Sequence, residues 1–154
     1  MRSTTSCAPP GSTATGCTPS ATSTDARSSR TWASTRRASP PIVFTDPQLA
    51  SVGLTEAKAC EQGIDVKVVS HGTGDVSGAA VHGKGIKGTS QLVIDESRRV
   101  IVGATFTGPG VGEMLHAATI AIVGEVPLDT LWHAVPSFPT ISEVWLRLLE
   151  AYGL

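Results

Sequence analysis

After residue 40 the chain carries several short runs of apolar residues and two longer stretches in which apolar positions recur at helical spacing. Pro41 to Thr45 (PIVFT) is β-branched and aromatic and predicts a strand. Asp46-Pro47 marks a turn, and Leu49 to Val52 continues as a short strand. Thr55 to Gln62 has a capping residue at its start, alanines inside and Gly63 as its stop, so a short helix is expected. Asp65 to Ser70 (DVKVVS) alternates and predicts another strand, whereas 71–87 is glycine-rich and polar and reads as a loop.

The clearest hairpin follows. Thr89 to Ile94 and Arg99 to Thr107 are β-rich runs flanking the charged turn 95–98, and they are expected to pair antiparallel. Gly108-Pro109-Gly110 ends the second strand. Val111, Met114, Leu115, Ala118 and Ile122 fall at i, i+3, i+4 spacing, which predicts a helix over 111–123 closed by Gly124. A short helix is expected over Pro127 to Trp132, and His133 to Pro139 reads as a connector. Thr140-x-x-Glu143 has the form of a capping box opening a last helix over about 142–151. Strands clustered in sequence with helices after them predict an α+β domain: an antiparallel sheet with helices packed on one face.

Composition divides the chain in two. Residues 1–40 hold nine Ser and nine Thr and no Val, Ile, Leu or Phe, with five Arg against Asp25. Residues 41–154 carry seven Lys/Arg against twelve Asp/Glu, so the overall charge of −1 averages a +4 leader with a −5 domain. A segment without branched aliphatics cannot bury enough surface to offset the entropy of ordering, and 1–40 is expected to be a disordered leader. It has no apolar core for a secretory signal, its prolines and glycines interrupt a transit-peptide helix, and its scattered arginines make a thin nucleic-acid tail. Two further readings are a disordered leader with no function and a wrong-frame translation. Shifting the frame one base upstream permits LHAVGDVNGRALLTHMGKYQA for residues 17–37 and AVDDQLR for 2–8, with only the first base of each codon free. The foldable unit is then 41–154.

Candidate chemistry is sparse. Cys7, Cys17 and Cys60 form no CxxC or Cys/His metal spacing, and Cys60 reads as inert. His71, His82 and His116 match no metal motif, and no metal site is expected. The 72–88 stretch lacks GK[ST] and runs into a strand, so it is no phosphate loop. No apolar run approaches the roughly 18 residues of a membrane span, and a cytoplasmic protein is expected.

Three segments in order resemble one domain. PIVFTDPQLASVGLTEAKA (41–59), GTSQLVIDESRRVIVGATFTGPGVGEMLHAA (88–118) and PTISE (139–143) are similar to the opening, centre and closing HPTxSE signature of one terminal domain. That domain is the C-terminal dimerisation domain of the flavin-dependent pyridine nucleotide–disulfide oxidoreductases, the family of dihydrolipoamide dehydrogenase, glutathione reductase and mercuric reductase. The out-of-frame string GDVNGRALLTHMGKYQA resembles the segment that ends the family's FAD-binding domain.

The resemblance implies FAD and NAD(P) for an intact enzyme, upstream domains that bind them, and a homodimer. The chain alone, lacking the GxGxxG fingerprints and the redox cysteine pair, is expected to bind neither cofactor and to be inactive. No nucleic-acid partner is expected. In the family's disulfide reductases a His–Glu pair from this domain acts as acid/base at the partner's active site. Here Phe138 replaces that His, and Glu143 keeps the Glu position. His133 is out of register and does not substitute. Phenylalanine moves no proton, so the resemblance implies an acceptor other than a dithiol, such as a quinone or a metal ion. Phe138 and Pro139 are the candidate flavin-side wall, with a core or interface aromatic as the other reading of Phe138. Glu143 is read as catalytic partner or as the third residue of the capping box. The alternative to an enzyme's domain is a free-standing homodimerising module, or the product of a degraded gene.

Overall fold

The computed structural model describes residues 40–154, and the expectations for the first 39 residues lie outside it. Five strands form one antiparallel sheet: β1 (Ile42–Val43), β2 (Gln48–Gly53), β3 (Val66–Gly72), β4 (Thr89–Asp95) and β5 (Val100–Gly108). Their order is β1-β2-β5-β4-β3. The β4–β5 hairpin forms as expected. Asp95 organises its turn, its Oδ1 accepting from the Ser97 and Arg98 N–H groups at 3.0 and 3.1 Å and from the Ser97 hydroxyl at 2.6 Å.

The main helical layer lies on one face. It comprises α3 (Val111–Val123), α4 (Leu128–Trp132) and α5 (Val144–Tyr152), and α3 has the bounds that its apolar spacing predicts. Leu92, Ile94, Ile101 and Phe106 of the sheet pack there against Met114, Leu115, Leu128, Val144 and Leu148. The short α1 (Glu56–Glu61) covers part of the opposite face, joining Ala59 to Val66, Val93, Val100 and Val102. Thr55 caps it, accepting the Lys58 N–H at 3.3 Å, and Gly63 follows in the left-handed region.

A bulge in β5 serves both faces. Val93 pairs with Gly103, and its neighbour Ile94 pairs with Ile101, leaving Val102 as the extra residue. Such an insertion shifts the in–out phase by one position. Ile101 faces the large core, Val102 the small one, and Ala104 and Phe106 return to the large core. Gly103 approaches β2's end so closely that a Cβ there would strike the Leu54 carbonyl.

Two expectations change. β1 is only two residues long, because Phe44 and Thr45 turn away toward Pro47, whose carbonyl accepts the Thr45 hydroxyl at 2.8 Å. The 71–87 segment is more ordered than its glycines suggest. β3 runs to Gly72, a 3-10 turn covers Thr73–Asp75, and α2 spans Ala79–His82. Val76 and Ala79 anchor it in the large core, and buried Thr73 and Ser90 share a hydroxyl–hydroxyl bond of 2.8 Å.

The end of α5 is held by β3. Lys67 Nζ donates to the Tyr152 carbonyl at 3.0 Å and sits 4.4 Å from the centre of its ring. Burial, and next the charge of Glu96, push the Tyr152 phenol above its ordinary range. A group whose pKa rises on folding stabilises the fold below its unfolded pKa of about 10. That contribution is lost as pH climbs through the folded value. Tyr152 is the chain's single tyrosine. Its tyrosinate absorbance is therefore expected to rise at higher pH in the native protein than in urea. Coincident curves would remove the half-buried, Glu96-facing phenol.

Candidate functional site

The closing segment builds the candidate site from a connector, a 3-10 turn (Ile141–Glu143) and the start of α5. Two prolines, Pro136 and Pro139, stiffen the approach, and the Phe138–Pro139 peptide is cis. Phe138 is 75% exposed, which excludes a place in this domain's core. Pro139 beside it is exposed too. Both therefore project outward, where a second molecule can meet them.

Glu143 behaves oppositely. It is 7% exposed, and its carboxylate turns inward. Oε2 accepts the Ser77 N–H at 3.1 Å, and Oε1 accepts Arg147 Nη2 at 3.0 Å. Arg147 bridges onward to Glu150 at 3.0 Å, and its guanidinium pKa is raised by that hydrogen bond first and by Glu143 second.

The expected capping box does not form. Thr140 makes no side-chain cap bond, and its hydroxyl donates instead to the Ser137 carbonyl at 2.6 Å. The physical reason is competition. An arginine one turn on and a free N–H on another loop offer a buried carboxylate two partners, one of them charged. The structure thus separates the two residues of the candidate pair: Phe138 faces solvent while Glu143 is tied to Ser77 and Arg147. The Arg147 contact was visible in the i, i+4 spacing. Ser77 was not, because it lies 66 residues upstream.

Beside this turn a groove of about 230 Å³ opens between α3, α4, the connector and α5. Met114, Ala121, Trp132, Val135, Trp145 and Leu149 give it an apolar lining. Exposed Ile120 and Val123 on α3 and Val135 on the connector add further apolar surface. An apolar concavity beside exposed aliphatics is the character of an association surface. His71 lies half-buried in β3, and the other histidines, His82, His116 and His133, face solvent. No three His, Cys, Asp or Glu residues converge to hold a metal among the described residues. Nor is any described helix long and apolar enough to cross a membrane.

Comparisons with known proteins agree with this architecture. Residues 39–149 match the model of the pyridine nucleotide-disulphide oxidoreductase dimerisation domain. Dihydrolipoyl dehydrogenase of Chlamydia muridarum is 33% identical over 106 residues, covering 69% of this chain and 23% of that protein. Its counterpart in Rhizobium etli is 36% identical over 120 residues, covering 74% and 24%. Among solved structures, the Cu(II) complex of the HOCl-induced flavoprotein disulfide reductase RclA from Escherichia coli superposes with a TM-score of 0.69 at 26% identity. That match covers 75% of this chain and 26% of that one. The chain spans about a quarter of the length of these proteins. With its five-stranded antiparallel sheet, helical layer and closing turn in the family's order, it belongs to the pyridine nucleotide-disulphide oxidoreductase family, as a dihydrolipoyl dehydrogenase-like dimerisation domain.

Proposed function

We propose that this domain supplies the subunit interface and the partner-side active-site wall of a cytoplasmic, homodimeric flavoprotein that passes electrons from NAD(P)H through FAD to an acceptor other than a dithiol. The observation that carries this reading is the state of the two signature positions. Phe138 has no titratable group and stands exposed, and Glu143 spends its carboxylate on Ser77 and Arg147. An acid/base shuttle of the sort a His–Glu pair provides is worth about 10²–10⁴ in rate. Neither residue is placed to provide it. A metal ion takes up electrons without a proton, a quinone can draw its two protons from reduced flavin and solvent, and the similar RclA is known as a Cu(II) complex.

The described residues fit a flavin only as an outer wall. Phe138 and Pro139 offer apolar surface to a ring held elsewhere, and the 72–88 loop leads into β4 rather than into a helix N-terminus that would cradle phosphates. FAD and NAD(P) therefore belong to upstream domains. Exposed Val43, Phe44 and Leu49 at the β1–β2 edge supply an apolar surface for those domains to cover. The groove and the outer faces of α3 and α5 supply the two-fold contact. Residues 1–40 are the misread end of the FAD-binding domain. The string restored by a one-base shift supports this, as does a composition that changes at residue 40.

The coding DNA tests the frame, and a frame-repaired gene tests the function. The repaired protein is expected to be yellow and dimeric, to oxidise NAD(P)H with quinone or metal acceptors, and to ignore lipoamide. Efficient lipoamide turnover would overturn the acceptor assignment. The second reading, a free-standing homodimerising module or the product of a degraded gene, draws on that same leader. An in-frame start near Pro41 with a stop before it would favour it. Under both readings the chain itself associates, so a monodisperse monomer in analytical ultracentrifugation would count against each.

A further inference from the structure

Behind Phe138 lies an arrangement that a dimer interface does not require. Residues 73–88 form a closed loop. The Thr73 N–H donates to the Gly88 carbonyl at 3.0 Å, and Gly74 lies against Ile86 with no room for a Cβ. This loop meets the 137–143 turn at one place. Gly78 lies so close to Thr140 that a Cβ would strike its carbonyl carbon and oxygen. One residue earlier, the Ser77 N–H reaches Glu143 Oε2 at 3.1 Å. Arg147 holds the other carboxylate oxygen at 3.0 Å, which fixes the carboxylate's direction. Val76, Ala79 and Ile141 close the joint from below as members of the large core. Beyond the joint, the loop tip at Val81–Gly85 is exposed, and so is Phe138.

We propose that Glu143 is a positioning residue whose carboxylate clamps the 73–88 loop to the 137–143 turn, so that Phe138 and the loop tip are held as one body. The signature glutamate thus orients no base. It sets where the aromatic wall stands, through a backbone N–H donated by a distant loop. The clamp lies within this chain and holds whatever Phe138 faces.

The chain's three phenylalanines make the test direct. Labelling with 4-fluorophenylalanine gives three fluorine resonances: Phe106 reports the buried core, Phe44 the β1 edge and Phe138 the turn. Phe138→Leu assigns the last. Ser77→Pro replaces the donating N–H with the ring Cδ, which parts the loop from the carboxylate, and Val76 at φ −93°, ψ 151° already has the backbone that precedes a proline. Ser77→Pro and Glu143→Ala are expected to move the Phe138 resonance and leave those of Phe44 and Phe106 in place. Both should speed tryptic cleavage after exposed Lys84 and Lys87 by about tenfold or more, the scale of a lost charge-assisted hydrogen bond. Glu143→Gln keeps an acceptor oxygen for Ser77 but loses the charge and the Arg147 pairing, so it should fall between wild type and Glu143→Ala. An unmoved Phe138 resonance with unchanged cleavage in Ser77→Pro overturns the clamp. So does a Glu143→Gln variant as disrupted as Glu143→Ala. Should Glu143→Ala lose the Phe106 resonance by unfolding, Ser77→Pro and Glu143→Gln decide.

Discussion

Phe106→Ala is expected to lower the stability of the domain by about 3–5 kcal/mol. Phe106 heads the fully buried side chains. It sits in the central strand β5, opposite Ala50 on one side and Ser90 on the other. Its ring meets Trp145 at a centroid distance of 5.6 Å and an interplanar angle of 53°. Such tilted pairs add about 0.5–1.5 kcal/mol to simple burial. Small neighbours on both flanking strands cannot expand into the space, so most of the cavity persists. A domain of this size has only about 5–15 kcal/mol to lose. The expected readout is a large fall in the urea midpoint with an unchanged slope. Phe44→Ala, at a position 79% exposed, should shift stability by no more than about 0.5 kcal/mol. A loss below about 1 kcal/mol for Phe106→Ala would mean that α5 does not rest on this strand. The consequence reaches the site, because Trp145 also lines the groove and α5 continues directly from Glu143.

Local pattern carried α3 and the β4–β5 hairpin because the signal for each lies within the element itself or across one short turn. The helical spacing of Val111, Met114, Leu115, Ala118 and Ile122 is a one-element signal, and the structure buries all of these side chains. The bulge was hidden, because VIVGATFT reads as one uninterrupted strand until the pairing of Ile94 with Ile101 shows the extra Val102. α2 was hidden for a related reason. Only Val76 and Ala79 anchor it, and glycines surround them.

Among the site residues, Phe138 was singled out by the resemblance, and its exposure was not legible. Glu143 shows the limit most clearly. T-x-x-E describes a local cap and an inward-facing carboxylate equally well. What distinguishes them is the Ser77 N–H, which only the tertiary fold brings within reach.

Gly78→Val carries the second large effect, and space rather than backbone conformation causes it. Gly78 has φ −65° and ψ −22°, an ordinary helical geometry that valine adopts. A Cβ there would nonetheless strike the Thr140 carbonyl carbon and oxygen and the Ile141 nitrogen. All three are backbone atoms, so no side-chain rotation relieves the clash. Either α2 or the 137–143 turn must move away, parting Ser77 from Glu143 and loosening Val76, Ala79 and Ile141. Overpacking of this kind costs about 1–3 kcal/mol and sometimes more. That predicts a melting temperature lower by roughly 5–15 °C in a domain of this length. Gly112→Ala is the matched control. Gly112 lies within α3, and the nearest atom to a Cβ there is the Ile42 side chain at 3.7 Å, an ordinary contact. Alanine in place of a helical glycine should leave stability unchanged or raise it by up to about 1 kcal/mol. If Gly78→Val melted with the wild type while Gly112→Ala behaved as expected, the loop would not be seated on the turn. The exposed aromatic would then owe its position to the prolines beside it, and the inward-facing glutamate would be only a partner for Arg147.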